Sequence, residues 1–529
     1  MTAHRSGGTE GVDCDVAVIG HGPVGSALAI LLAQHGHTVT VLERWPVPYS
    51  LPRAVHFDDE VARILQACGM GGVLAGISEP ADVYEWRNAA GLPLARFGRS
   101  GLGPSGWPSS SMFHQPHLEA LLEDRARSLS TLVLRRGVEA VGLTQSDEGV
   151  TIHARKHDGA ALDVRCRYAV GCDGANSTIR QLLDIPTIDL GFFYDWLIVD
   201  VVLHEQRVYD PINVQVCDPA RPTTVVSGGP GRRRWEFMRR PDETLDDLNS
   251  TDAAWRLLAA WDVTPDNATL ERHAVYTFKA CHATQWQNGR VLLAGDAAHL
   301  MPPFAGQGMC SGIRDVANLA WKLDLELGGR GGDSVLDSYT EERLPHARAV
   351  IDFSIELGKI ICVSDPAEAA ARDELMNGSL TEIAMSIPPL PPITGALLPA
   401  NDPVAGHLFP QGMVAVGGAR ARFDDVHGVG WRMVTVTTDR LDLDSALAEW
   451  FDDESGRVVA ISPDADVDGT YATWFAEHCC TWALQRPDFH LHGAASDVDG
   501  AAALLVDLRN RLTAPLVKSE EPPISASQS

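Results

Sequence analysis

The stretch "CDVAVIGHGPVGSALAILLAQHGHTVTVLER", Cys14 to Arg44, decides the fold. Val16 to Ile19 is an apolar run suited to a buried strand, and Gly20, Gly22 and Gly25 place a GxGxxG turn directly after it. From Val24 to Gln34 apolar residues recur on a helical period, Gly36 stops the helix, and Val39 to Leu42 makes a second strand. Glu43 follows at the strand end, about twenty residues after Gly20. Glycines alone would need only a tight turn. Strand, turn, helix, strand and terminal acid in one compact unit instead define a Rossmann-like dinucleotide site. There Gly22 admits a pyrophosphate to the backbone, the helix start at Pro23 and Val24 faces its charge, and Glu43 accepts from an adenosine ribose.

Two later segments share the pattern of apolar strand, acid and glycine loop. In "YAVGCDGANSTIRQLL" (Tyr168–Leu183), Asp173 sits between Gly171 and Gly174, and Ser177 and Arg180 open a helix. By itself Asp173 also suits a helix cap. In "VLLAGDAAHLMPPFAGQGM" (Val291–Met309), Gly295 and Asp296 end a strand and lead through Pro303 to Gly306, Gln307, Gly308 and Met309. A carboxylate at a buried strand end is costly without hydrogen-bond donors, so Asp296 requires a partner.

The region Phe192 to Met238 is β-rich, with "WLIVDVVL", "NVQVCD" and a hairpin, "TTVVSGGPGRRRWEFM", turning at Gly228 to Gly231. Ile313, Val316, Ala317, Ala320, Leu323 and Leu327 then mark one face of a helix, and a second helix runs through "SYTEERLPHARAVIDFSIELGKII", with a bend expected at Pro345. The proline-rich passage 387–403 reads as a linker. The expected organisation is α/β throughout. A disordered start covers 1–12. A cofactor domain spans 13–386, with an interleaved β-sheet substrate domain mainly at 80–115 and 185–285. An α/β module follows at 404–516, then a disordered tail at 517–529.

With 43 basic against 70 acidic residues the net charge is −27, which repels nucleic acid and anionic membrane surfaces. No segment approaches the roughly 18 apolar residues of a membrane span, and "MTAHRSGGTEGVD" lacks the basic start and apolar core of an export signal. A cytoplasmic chain is the expectation. The ten cysteines include no CxxC pair and no zinc-site spacing, so no metal is expected, and the adjacent Cys479 and Cys480 read as packing residues.

Together "GHGPVG", "GCDGANSTIR" and "LLAGDAAHLMPPFAGQGM" resemble the three ordered motifs of the class A flavoprotein aromatic hydroxylases. The resemblance implies FAD, with Asp296 accepting from its ribitol hydroxyl and the backbone N–H groups of Gly306 to Met309 reaching the pyrophosphate and isoalloxazine. "LPRAVHFDDEVARILQACGM" and "FHQPHLEALL" match family segments that place Arg53 near the flavin and Gln115 against the cofactor, and Arg44 becomes an adenosine neighbour. "VCDPARP", "RRWEFM", "LPHARAVIDFS" and "WFAEHCCTWALQRPDF" resemble the 3-(3-hydroxyphenyl)propionate and 3-hydroxycinnamate hydroxylases. In that group the C-terminal module is thioredoxin-like. Without CxxC it implies a structural role or a homodimer contact.

The implied chemistry is reduction of FAD by NADH or NADPH, then O₂-dependent hydroxylation of a small phenolic aromatic substrate ortho to its hydroxyl. No second GxGxxG set between a strand and a helix is evident, so the nicotinamide is expected to bind transiently. One departure is "FKACHATQW", where Cys281 stands in place of a family arginine. No catalytic base is singled out: His299, Tyr194 and Tyr276 each suit a structural hydrogen bond, and Arg233, Arg234 and Arg239 read equally as a solvated strand face. A flavin halogenase is disfavoured by the absence of WxWxIP. A larger polyketide or antibiotic substrate, and a scaffold that has lost its flavin, remain the alternatives.

Overall fold

The computed structural model describes residues 11–48, 53–332, 334–377 and 390–514. Most of the expected disordered start, the first residues of the proline-rich passage and the tail lie outside the described residues.

Five parallel strands form the spine of the first sheet, in the order Val291–Leu293, Ala161–Gly171, Cys14–Ile19, Val39–Glu43, Leu132–Arg136. The central strand runs Val16, Ala17 and Val18 without exposure, as expected where helices cover both faces of a parallel sheet. The helix Pro23–Gln34 packs against the helix Gly308–Leu327 and against Gln115–Arg127. Gly25 permits its approach to the sheet, because a Cβ there would stand 2.1 Å from the Gly20 carbonyl oxygen.

The second sheet has eight strands, ordered His299–Leu300, Ala268–Ala283, Thr187–Leu203, Arg232–Met238, Thr223–Ser227, Asn213–Val216, Val83–Arg87, Pro93–Gly98. Side chains alternate between its two faces along the central strands. Leu197, Val199, Val201, Val225, Trp235 and Phe237 pack on the helical segment around Leu248, Ala254 and Leu258. The opposite face carries Ile198, Thr224, Arg234 and Glu236, and it looks toward the first sheet's carboxyl edge. Arg233 and Arg234 are therefore not a solvated face, since each is 3% exposed. They fall on opposite sides of the strand. Arg234 pairs with Asp200 at 2.7 Å, and Arg233 lies over the Tyr209 ring. Arg239, half-buried, pairs with Asp195 at 3.0 Å.

The helix Ser334–Ile361 runs through Pro345 as one 28-residue element. In the C-terminal module a four-stranded sheet is ordered Arg457–Ala460, Arg432–Thr435, Trp482–Gln485, Leu491–Ala495, with only the first pair parallel. The module shares an apolar core with the preceding domain, where Trp321 meets Trp431 edge-on at 5.5 Å. Residues of the proline-rich passage lie inside this junction, and Ile393, Leu397 and Leu398 are buried.

A buried ionic cluster fixes the same junction. Glu342 accepts from Lys322 Nζ at 2.8 Å and from Arg486 Nη2 at 2.7 Å, and Arg486 also pairs with Asp488. Burial opposes ionisation of Glu342, but the two cations hold its carboxyl down to about 2. Glu342→Ala removes the ion-pair partner of buried Lys322 and leaves Arg486 with Asp488 alone, and it is expected to cost about 3–5 kcal/mol in urea unfolding. A loss under about 1 kcal/mol would show that the cluster adds little.

Candidate active site

Three glycine loops converge because their strands are neighbours in the parallel sheet. Gly20–Gly22, Cys172–Gly174 and Gly295–Asp296 follow Cys14–Ile19, Ala161–Gly171 and Val291–Leu293, and Glu43 closes the adjacent strand on the other side. The strand order reverses direction at Cys14–Ile19, which places a binding crevice outside the carboxyl ends.

Two cavities occupy that crevice. The smaller, about 290 Å³, is lined by Gly20, Glu43, Arg44 and Asp173. The larger, about 440 Å³, is lined by Pro23, Val24, Gln115, Asp296, Pro303, Gly306, Gly308 and Met309, and on its far side by the inner face of the second sheet. Gly22, Arg53, Cys172, Gly174 and Tyr276 border both cavities.

The local contacts separate residues that face the crevice from those that build it. Glu43 accepts from the His21 N–H at 2.8 Å and the Trp45 N–H at 2.9 Å, which fixes an acid on the wall of the smaller cavity. Arg136, not singled out in the sequence, lines the same cavity because its strand pairs with Glu43; it is held by Glu123. Asp173 accepts from Ser177 Oγ and the Ile179 N–H, so it braces the following turn while bordering the cavity. Burial pushes its carboxyl up.

Asp296 is half-buried at the wall of the larger cavity, and its carboxylate has no hydrogen-bond or ion-pair partner among the described residues. The helix Gly308–Leu327 begins beside it with no side-chain cap, so its first N–H groups border the cavity at Gly308 and Met309.

Gly25 and Gly295 line neither cavity and serve close packing; a Cβ on Gly295 would meet Val24 at 3.1 Å. The Gln307 side chain turns away to Asp58 and Arg314. Gln115 borders the larger cavity, but its carbonyl oxygen accepts from the Arg53 and Ala54 N–H groups and its NH₂ donates to Glu119, so it shapes the Arg53 segment. Cys281 lines neither cavity and sits beside Leu300 and Asp189 in the sheet, so the missing family arginine does not open a gap in the cavity wall.

Of the aromatic and histidine candidates only Tyr276 borders the crevice. His299 is buried and its Nε2 donates to the Asp315 carboxylate at 2.8 Å, a structural role. Among the side chains of the larger cavity that the sequence did not single out are Arg99 and Glu236. The available signal was the alternation in "RRRWEFM", where charge falls at every second position of a strand with buried aromatics between. Among the described residues no group of three His, Cys, Asp or Glu is disposed to hold a metal.

An unpartnered carboxylate, an uncapped helix start and glycine-lined walls fit an anionic dinucleotide with sugar hydroxyls. A family model described as FAD binding domain matches residues 13–354, and one described as HcaD C-terminal domain matches 406–511. A probable NADH-specific resorcinol 4-hydroxylase of Rhodococcus jostii (strain RHA1) is 40% identical over 93% of this chain and 94% of its own length. A 3-(3-hydroxy-phenyl)propionate/3-hydroxycinnamic acid hydroxylase of Mycobacterium sp. (strain JLS) is 33% identical over 91% and 89%. Among solved structures, the flavin-dependent monooxygenase PieE in complex with FAD and substrate aligns with a TM-score of 0.78 at 22% identity, covering 94% of this chain and 99% of that one. Aklavinone-11 hydroxylase with FAD and aklavinone aligns at 0.77 and 24%, covering 95% and 100%. Fold and site thus define an FAD-dependent monooxygenase of the aromatic hydroxylase class. The chain belongs to the FAD binding domain family.

The loop that carries Asp296 is held from behind by Asp315. Its carboxylate accepts from the Gly295 N–H at 3.1 Å, meets His299 Nε2 at 2.8 Å and pairs with Arg343 Nε at 3.0 Å, all buried. Burial works against the charge, but His299 and Arg343 keep the Asp315 carboxyl below its ordinary value of 3.8. Its contribution to stability is complete above that value and lost as pH falls below it. Asp315→Ala is expected to cost about 3–5 kcal/mol in unfolding at pH 7 and to lower FAD content. A variant as stable as wild type would remove Asp315 as the anchor.

Proposed function

We propose that FAD lies along the two adjoining cavities. Its adenosine would be held by Glu43 and Arg44, its pyrophosphate by the Gly20–Gly25 turn and the start of the helix Pro23–Gln34, and its ribitol by Asp296. Its ring would lie against Pro303 and the Gly306–Met309 backbone. The unpartnered Asp296 carboxylate carries this reading, since a ribitol hydroxyl is the donor it lacks. FAD supplies the redox chemistry; the chain orients it and excludes water. The electron donor is NADH, in line with the relative named NADH-specific. Purified protein is expected to be yellow with one FAD per chain, and Asp296→Ala to weaken retention by about 1–3 kcal/mol. Colourless protein that resists reconstitution would defeat the reading.

The substrate is a single-ring phenol with a meta substituent, hydroxylated ortho to its hydroxyl, with 3-(3-hydroxyphenyl)propionate or 3-hydroxycinnamate as the first choice. A cavity of about 440 Å³, near the lower end of ligand sites and shared with the flavin ring, supports one aromatic ring over a polycycle. Arg99 supports the acid group. Its side chain borders the cavity with no carboxylate in ion-pair reach among the described residues, and its Nε is buried without a hydrogen-bond partner among them. Its Nη1 lies 3.3 Å from His56 Nε2. Burial and Arg99 push the His56 imidazole down to about 4, so His56 is neutral, accepts from Arg99 and donates through Nδ1 to the Gly306 carbonyl.

Resorcinol is the second reading, favoured by the 40% identical relative. Arg99→Gln is expected to raise KM for the phenolic acids about 10–100-fold, as for loss of a hydrogen bond to a charged group, and to leave resorcinol turnover nearly unchanged. Product mass and NADH consumption across both substrate types decide the matter. If the acids yield only hydrogen peroxide while resorcinol gains one oxygen, the acid reading falls.

The C-terminal module is proposed to be thioredoxin-like, supported by its strand order and by helices Ser445–Asp453, Thr470–Glu477 and Val498–Thr513 between and after the strands. Lacking CxxC, it would serve structure or a homodimer contact rather than thiol exchange.

A further inference from the structure

Glu236 is a buried acid that the protein leaves without a hydrogen-bond donor. It stands mid-strand in Arg232–Met238, 7% exposed, between Ile198 and Thr224 on the neighbouring strands, and all three side chains line the larger cavity. No hydrogen bond reaches its carboxylate among the described residues, and its one ion-pair contact is Arg234 Nη1 at 3.7 Å.

The donors of Arg234, Thr224 and Tyr84 around it are engaged elsewhere. Arg234 Nε and Nη2 donate to Asp200 at 2.7 and 3.0 Å, and Nη1 donates to the Arg53 carbonyl at 2.7 Å. The Thr224 hydroxyl donates to Gln215 Oε1 at 2.7 Å, and the Tyr84 hydroxyl donates to the same oxygen at 3.2 Å. Arg272 bonds the Tyr276 hydroxyl and lies 3.7 Å from Asp200. A buried carboxylate in this setting is costly unless a ligand brings a donor. On the reading of a phenol substrate, that donor is the phenolic O–H.

We propose that Glu236 is a catalytic residue that receives the substrate's phenolic hydroxyl and takes its proton. The O–H bond breaks, its electron pair stays on the phenolate oxygen, and the proton forms the neutral Glu236 carboxylic acid. The resulting phenolate is a more electron-rich ring for oxygen transfer, and Arg234 and Arg272 line the same cavity as cations that act on Glu236.

The electrostatics agree with this role. Burial, opposed by Arg234 and Arg272 and reinforced by Asp200, pushes the Glu236 carboxyl up to about 7, where a general base works best at neutral pH. The charged and titratable groups facing it are Arg234 on its own strand, Asp200 on Thr187–Leu203, Arg272 and Tyr276 on Ala268–Ala283, and Tyr84 on Val83–Arg87. Deprotonated Glu236 is the active form, so kcat/KM is expected to rise as pH increases through about 7.

The test compares FAD-loaded wild type, Glu236→Gln and Glu236→Asp, each checked for FAD content and melting temperature. Hydroxyphenylpropionate and resorcinol are used as probes, with Kd from flavin fluorescence and kcat from oxygenated product. Glu236→Gln is expected to bind the phenol within a few-fold of wild type, lose about 10²–10⁴ in kcat, and lose the limb near pH 7. Glu236→Asp is expected to keep that limb at reduced kcat. If Glu236→Gln turns over like wild type with the limb in place, Glu236 is not the base and the phenol hydroxylase reading stands. If Glu236→Gln does not fold, a limb absent from Glu236→Asp overturns the proposal. If wild type binds FAD but oxygenates no phenol, the functional reading fails and the role of Glu236 falls with it.

Discussion

Asp315 joins the parts on which the site depends. One carboxylate, fully enclosed, accepts from the Gly295 backbone and meets His299 and Arg343, so the loop carrying Asp296 is tied to the helix Gly308–Leu327 and to the helix Ser334–Ile361. A charge buried in that way tolerates no loss of partners, which makes the loop geometry a condition of folding rather than a local preference. Two further side chains extend the clamp. Arg180 donates to the Ala297 carbonyl at 2.7 Å and to the Ala175 carbonyl at 2.9 Å, joining the second and third glycine loops, and the Tyr339 hydroxyl holds the Leu293 carbonyl at 2.9 Å.

Against this fully paired support, the acids of the cavity wall stand out by lacking donors. Asp296 faces the cavity from the first sheet and Glu236 from the second, neither with a hydrogen bond from the described protein. Such groups gain little from protein contacts, and a ligand that brings donors to the cavity would offset their cost. Arg99 is the complementary case, a cation at the same cavity with no carboxylate in reach among the described residues. Three unsatisfied groups around one space describe a ligand with hydroxyls to give and an anionic group to place.

The C-terminal module contributes at a distance. Its Arg486 and Asp488 complete the ion cluster with Glu342 and Lys322, and Asp424 pairs with the buried Arg63 at 2.6 Å. Asn318 and Trp321, on the helix that starts at the Gly308 cavity wall, both donate to Asp488. The module therefore braces the middle of the helix whose first turn borders the crevice.

The sequence alone determined whatever rests on local spacing. GxGxxG with Glu43, the Asp173 loop and the Gly295–Met309 loop could be read from single stretches, because a strand end, a tight turn and a helix start are each encoded within about twenty residues. It also carried the resemblance to aromatic hydroxylases. What it could not separate was the direction in which a side chain points. Gln307 and Gln115 belong to the right segments, yet their amides are committed to Asp58, Arg314, Glu119 and the Arg53 backbone. The arginines of "RRRWEFM" looked like a wet surface because charge predicts exposure, whereas the second sheet buries both faces of that strand and sends Arg233 and Arg234 to opposite sides. Only the tertiary structure decided that Arg99, Arg136 and Glu236, from three distant segments, meet the same crevice, and that Cys281 does not. Pairing between strands far apart in the chain sets those neighbours, and no local period encodes it.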